Sequence, residues 1–314
     1  MNRHEFLRGL HEKLQPRTYL EIGVNDGRSL TLSRAKTVAV DPAPKVTSEI
    51  HCDVQLVRAT SDDLFARPRP LEHLDDRIDL AFIDGMHLLE YALRDFVNVE
   101  RYSDWSSVIV LDDQLPRNVD EAARDRHTLE WTGDVYKMIP ILQRHRPDLR
   151  VVAVDTKPTG VAVIFGADSS STVLRDGYDS IVADYLVADP QPIPDEILTR
   201  ACAVDPRVLL DAPLWGSLVA GREDDARGYG REQLLGDVDA ATGETKPRLG
   251  EWVPDAALRR VPEAPPTVGE EALVRLRQRR AATRRRTDVF SRVAGVVPAV
   301  KRIPGARAVV RIFR

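Results

Sequence analysis

Two short stretches carry the side chains best suited to chemistry. Asp84 and His87 stand in Ile83-Asp-Gly-Met-His87, and Asp112 and Asp113 follow the apolar run Val108–Leu111. Neighbouring parallel strands lie about 4.8 Å apart, so two such strand tips would gather the three carboxylates at one edge. Three carboxylates in one place repel unless they are protonated or bridged by a cation. Hard oxygen donors with room for water suit Mg²⁺ or Mn²⁺ and argue against zinc. A divalent cation lowers the pKa of a bound water from about 15.7 to about 7, and a coordinated hydroxyl gains in the same sense. His87, one turn from Asp84, suits a general base, its unperturbed pKa being about 6.5. The chemistry these residues suggest is metal-assisted deprotonation of an alcohol, with Asp84, Asp112 and Asp113 on the metal and His87 as base. The plainer alternatives are a turn at Asp84-Gly85, a cap at Asp113 and a hydrogen-bonded, structural His87.

A second set of residues suits a nucleoside. In Tyr19-Leu-Glu-Ile-Gly-Val-Asn-Asp-Gly-Arg-Ser-Leu30 a strand ends at Ile22 and a helix is expected to begin near Asp26, with Gly23 and Gly27 in the turn between. Glycines there allow positive φ and close approach of a ligand to the backbone. The spacing E-x-G-x-x-x-G is neither the dinucleotide G-x-G-x-x-G nor a P-loop, which makes it a poor pyrophosphate cradle and a nicotinamide dehydrogenase a weak reading. The next strand ends in Val38-Ala-Val-Asp41, where a carboxylate can accept both hydrogen bonds of a ribose diol. After the third strand, Ala59-Thr-Ser-Asp-Asp-Leu64 brings Ser61 and Asp62 to a loop that can border an adenine. Read separately, the glycines can make no more than a tight turn and Asp41 can cap a helix.

The elements that must position these groups are short β-rich runs at Thr18–Ile22, Thr37–Val40, Gln55–Val57, Ile78–Ile83, Val108–Leu111, Val151–Val154 and Val161–Phe165. Helical stretches are expected between the first five, such as Leu88–Arg101. Strand–helix alternation implies a mostly parallel sheet with helices on both faces, and such sheets place ligands at the carboxyl ends of the strands. The last two runs are joined by Asp155-Thr-Lys-Pro-Thr-Gly160, too short for a crossover helix, so an antiparallel hairpin follows. Arg124–Lys137 lies between the fifth and sixth strands; Thr132 or Asp134 can cap the next helix there, and Trp131 suits either an acceptor platform or a core anchor.

In this order and spacing, residues 15–165 resemble a class I S-adenosylmethionine-dependent methyltransferase. The resemblance implies a Rossmann-like, doubly wound α/β fold of seven mostly parallel strands ending in an antiparallel β-hairpin. It assigns Glu21, Gly23 and Gly27 to the methionine part of the cofactor and Asp41 to its ribose. Asp-Gly-x-His after the fourth strand and the acidic pair after the fifth are similar to metal-dependent O-methyltransferases that modify macrolide sugars. That resemblance implies Asp84, Asp112 and Asp113 for Mg²⁺ and His87 for the base. It covers these motifs and the fold, not the rest of the chain.

The domains are expected at 1–167 for the methyltransferase, 168–268 for an irregular extension and 269–314 for a basic helical tail. The chain has 314 residues and a net charge of −4, but residues 257–314 carry fifteen Lys and Arg against four Asp and Glu, leaving the remainder at −15. An acidic body is not the footprint of a nucleic-acid-binding domain. The tail suits an acidic partner, a peripheral membrane contact or an oligomer-stabilising extension. Two cysteines, Cys52 and Cys202, make neither a disulfide framework nor a zinc site, and with no secretory signal the expected compartment is the cytoplasm. The reading is an enzyme that moves a methyl group from S-adenosylmethionine to a hydroxyl of a sugar or similar small polar metabolite. The alternative is a methyltransferase-like binding or interaction module that holds the nucleoside or a partner without catalysis.

Overall fold

The computed structural model describes residues 1–224, 226, 228–243 and 247–259, so the basic tail expected at 269–314 lies outside the described residues. Among the described residues no helix is long and apolar enough to cross a membrane. The strands are β1 (Thr18–Ile22), β2 (Lys36–Val40), β3 (Val54–Val57), β4 (Ile78–Ile83), β5 (Ser103–Asp112), β6 (Arg150–Val154), β7 (Val161–Phe165) and β8 (Ala203–Val204). They form one sheet in the order β3-β2-β1-β4-β5-β7-β6-β8, with β7 antiparallel to both β5 and β6 and the other pairings parallel. The Rossmann-like α/β fold and its hairpin are therefore present. An eighth strand of two residues, contributed by the segment after residue 167, pairs with β6 and moves the hairpin away from the sheet edge.

The central strands are buried on both faces, which is why they read as continuous apolar runs rather than alternating ones. On one face Leu20, Ile22, Ile83, Ile109 and Leu111 pack against α3 (Leu89–Glu100) and α5 (Met138–His145), joined by Ile181 and Tyr185 of α7 (Tyr178–Tyr185). On the other, Tyr19, Leu80, Phe82, Val108 and Val110 pack with Phe6, Leu7, Leu10 and Leu14 of α1 (Arg3–Leu14). That cluster also holds Leu209 and Leu210 of α9 (Pro206–Leu210), Trp215 and Leu218 of α10 (Leu214–Glu223), and Leu234 and Val238 of α11 (Arg231–Thr242). Gly216–Pro247 has no clear apolar period, yet most of α10 and all of α11 lie within it, because the few apolar side chains they carry are seated against α1 and the sheet.

The first two crossovers differ from expectation. No α-helix follows β1; a short 3₁₀ turn at Leu30–Leu32 takes its place, and Pro42 and Pro44 lie in the irregular segment between β2 and β3. Proline lacks the backbone N–H that a helix interior needs. Strand order reverses between β1 and β4, the kind of switch point at which open α/β sheets form a crevice.

Candidate functional site

The register across the carboxyl edge sets the site. Ile22 pairs with Val40 on β2 and Ile83 on β4, and Ile83 pairs with Leu111 on β5. One residue further along each strand stand Gly23, Asp41, Asp84 and Asp112, a single row at one edge of the sheet. Asp41 and Asp84 thus open to the same edge, on either side of β1.

Gly23 has φ +92°, and a Cβ there would lie 1.8 Å from the Asp84 carbonyl oxygen, so its glycine is required by the approach of β4. Glu21 is fully buried beneath this turn, accepting hydrogen bonds from the Tyr19 and Ser29 hydroxyls at 2.8 Å each. Burial pushes its pKa up to about 7, against the opposing pull of those hydroxyls. Asp41 is buried and accepts from the Asn25 and Ala43 backbone N–H groups at 2.9 and 2.6 Å. A carboxylate offers about four lone-pair positions, so two remain for a diol. The segment after β2 rests on the glycine turn through Lys45 N–H to Asn25 O at 2.6 Å, and a Cβ at Gly27 would come within 3.0 Å of Val46. Asp62 is held by Arg94 at 2.7 and 2.8 Å, and the Ser61 hydroxyl bonds Asp95, both at the start of α2 (Ser61–Phe65).

Beyond β4, one oxygen or nitrogen each from Asp84, His87 and Asp113 lie within 4.8 Å of one another. His87 Nε2 is 3.2 Å from Asp84 and Nδ1 is 3.1 Å from Asp113. Nδ1 is also 2.7 Å from the Trp131 carbonyl oxygen, which can only accept, so Nδ1 carries a proton. The imidazole stacks on the Trp131 ring at 5.1 Å and 8°. Burial opposes the charged form of His87, but Asp113 and Asp84 outweigh it and push the pKa up to about 9. Asp113 has φ +61° and accepts from the Thr159 hydroxyl in the hairpin turn. Burial and the charge of Asp84 raise its pKa, with His87 pulling the other way.

Asp112 stands apart from this trio. Its carboxylate is paired with the Arg3 guanidinium, which also touches Asp84 at 3.2 Å. Arg3 was not singled out in the sequence; the signal available was a basic residue in the first turn of α1, where the helix dipole disfavours it. The sequence offers Thr132 or Asp134 as a cap for the helix that follows. The Thr132 hydroxyl instead donates to Glu121 O, and Asp134 is fully buried, accepts from Leu89 N–H at 2.8 Å to cap α3, and binds Arg124 and Lys137. Trp131 has one face taken by His87, donates from Nε1 to Ala123 O at 2.6 Å and lies 5.6 Å from the Arg126 guanidinium, an arrangement closer to a support for His87 than to an open platform.

The donor chemistry fits a hard divalent cation. Asp84 and Asp113 supply carboxylate oxygens, and Gln114, buried in the same pocket wall, has an Oε1 with no hydrogen-bond partner.

Residues 20–114 match the model of a family described as a methyltransferase domain. No curated protein matches the sequence. Among solved structures, the SAH-bound methyltransferase PaMTH1 of Podospora anserina is 16% identical, with 53% of this chain and 78% of that one covered and a TM-score of 0.40. An O-methyltransferase of Bacillus cereus in complex with SAH is 17% identical, with 52% and 80% covered and a TM-score of 0.37. TomG, an O-methyltransferase of Streptomyces achromogenes involved in tomaymycin synthesis, is 18% identical, with 53% and 80% covered and a TM-score of 0.37. At these identities and TM-scores they assign no substrate, metal or residue role to this chain. The family match over residues 20–114, carried on the first five strands of this sheet, supports a methyltransferase domain in this part of the chain.

Proposed function

We propose that this chain transfers the methyl group of S-adenosylmethionine to a hydroxyl of a sugar or similar polar metabolite, with a divalent cation beside the acceptor. The observation that carries the reading is the convergence of Asp84, His87 and Asp113 next to the β1/β4 crevice.

Gly23, Gly27 and Asp41 line the cofactor side of the crevice, with Ser61 and Asp62 at its far rim and Glu21 supporting the turn from below. Asp84 and Asp113 would hold Mg²⁺ or Mn²⁺, with Gln114 Oε1 as a further oxygen donor. When bound, S-adenosylmethionine supplies an electrophilic methyl on a cationic sulfur, and the cation makes an acceptor hydroxyl more acidic. Asp113 and Asp84 hold His87 protonated; a cation taking up their charge would release the Nε2 proton, and with Nδ1–H donated to Trp131 O the freed Nε2 is the atom that would take the acceptor's proton. Asp84 faces that Nε2 at 3.2 Å and stabilises the imidazolium so formed. With the cofactor held by Gly23, Gly27 and Asp41, its carbon–sulfur bond would break as the carbon–oxygen bond forms, the sulfur keeping the bonding pair and becoming neutral.

A second reading, a module that binds without turnover, is favoured by the way Arg3 and protonated His87 already neutralise the acids. Calorimetry with S-adenosylmethionine, with NAD as control, followed by an acceptor screen in Mn²⁺ or in chelator decides between them. Cofactor binding with cation-dependent methyl transfer is expected. Binding with no turnover on any hydroxylated acceptor selects the second reading, and no cofactor binding removes the enzyme reading.

A further inference from the structure

We propose that Arg3 is the site's own cation: it claims Asp112 from the α1 face and keeps that carboxylate out of the donor set of any divalent metal. The proposal rests on the cation site described above, with Asp84 as the carboxylate that both charges share.

The argument begins with the register. Asp84 and Asp112 occupy adjacent places in the edge row, each one residue beyond the paired Ile83 and Leu111. Phe82 and Val110, two residues earlier on the same strands, face the cluster that includes α1, so period-two alternation directs both carboxylates to the α1 side. Asp113, one residue further, belongs to the opposite side, where His87 and Trp131 lie. Asp84 is shared between the two sides, its Oδ2 3.2 Å from Arg3 and its Oδ1 3.2 Å from His87, so it can converge with Asp113 while Asp112 stays with Arg3.

The chain fixes Arg3 on the α1 side with care. Asn2 caps α1 and forms a reciprocal capping box with Glu5. Arg3 N–H donates to Lys157 O at 3.1 Å, and Lys157 N–H donates to Met1 O at 3.1 Å, tying the first residues to the hairpin turn. The guanidinium passes 5.9 Å from the Phe82 ring centroid and ends on Asp112 and Asp84. A cation in the first turn of a helix opposes the helix dipole, so helix stability does not account for it. Pairing with the two carboxylates does. A divalent ion on Asp84 is repelled by this guanidinium, and Asp112 becomes available to that ion only when Arg3 is gone. Arg3 thus acts through Asp84 and Asp112 as a positioning residue.

The test uses the full chain and Mn²⁺ alone as probe, with binding read by calorimetry for wild type, Arg3→Gln and the double variant Arg3→Gln/Asp112→Asn. Arg3→Gln is expected to tighten Mn²⁺ binding about tenfold or more, within the range by which neighbours of a metal's ligands tune affinity, and the double variant is expected to lose that gain. A merely structural arginine would weaken binding or leave it unchanged when removed, and either result overturns the proposal. Arg3→Met, which keeps the apolar stem over Phe82, replaces Arg3→Gln if the latter does not fold. Should no variant bind Mn²⁺, the cation reading fails by itself and a thermal cycle in chelator decides the proposal. Midpoint losses of Arg3→Gln and Asp112→Asn that do not add in the double variant support the pairing; additive losses overturn it.

Discussion

His87 is pulled in two directions. Burial favours the neutral ring, while Asp113 and Asp84 favour the charged one and prevail. If Nε2 takes the acceptor's proton, His87→Asn keeps a hydrogen bond to Trp131 O but loses the base. Methyl transfer is then expected to fall by about 10²–10⁴-fold with S-adenosylmethionine affinity within about threefold of wild type, measured by single-turnover assay and calorimetry. Glu21 makes a different prediction. Its folded pKa, about 7, lies above the ordinary value of 4.5, so between those values the folded state holds a proton that the unfolded state has released. Its contribution to stability is therefore fully present below about pH 4.5 and is lost as pH rises to about 7. Asp95, raised to about 7 mainly by burial, adds to the same trend. Urea unfolding at pH 5 and pH 7.5 should show a smaller fall for Glu21→Gln than for wild type; an equal fall would mean that Glu21 is already ionised at pH 5.

At the scale of elements, the carboxyl edge is held by two close approaches. Gly23 meets the Asp84 backbone so closely that Gly23→Ala must displace the tip of β4 as well as bear an unfavourable φ. Backbone strain of this kind costs about 1–3 kcal/mol before the overlap is counted, so the variant is expected to lose at least that much in a denaturant titration. Gly27→Ala meets only the Val46 methyls near 3.0 Å and should fall less. The other approach is the hairpin turn. Arg200 donates to Asp155 and to the carbonyls of Thr156, Pro158 and Leu115, and the same turn carries Thr159 to Asp113 and Lys157 to α1. Arg200→Ala is therefore expected to speed amide hydrogen exchange at residues 155–160 and at the start of α1 together. Faster exchange at the turn alone would separate the two.

For the whole molecule, the segment after residue 167 is part of what the sheet needs. Leu209, Leu210, Leu214, Trp215, Leu218, Leu234, Leu235 and Val238 share one cluster with α1 and the second face of the sheet. Each such side chain contributes roughly 1.5–3 kcal/mol when buried, so the loss of all eight would cost as much as, or more than, the about 5–15 kcal/mol by which a domain is stable. A fragment of residues 1–167 is expected to aggregate or to bind a hydrophobic dye without a cooperative unfolding transition, read by fluorescence and circular dichroism. A cooperative fragment would show that the later helices are an accessory. That dependence was not legible locally, since Gly216 and Gly236 interrupt α10 and α11 and their apolar residues show no strong period.

The amino-acid sequence by itself determined seven of the eight strands, the hairpin and the row of acids at the strand tips, because a strand's burial and a turn's chemistry are written within a few neighbouring residues. Asp41, Asp84 and Asp112 were legible as one edge for that reason: each directly follows or ends a short apolar run. Only the tertiary structure decided which acids act together. Arg3 reaches Asp112 across 109 residues, the Trp131 carbonyl meets His87 across 44, and Asp134 caps a helix 45 residues before it. Such pairings leave no period in the sequence. They exist because side chains from distant segments are desolvated in one place, where each charge must find whichever partner the packing has brought within reach.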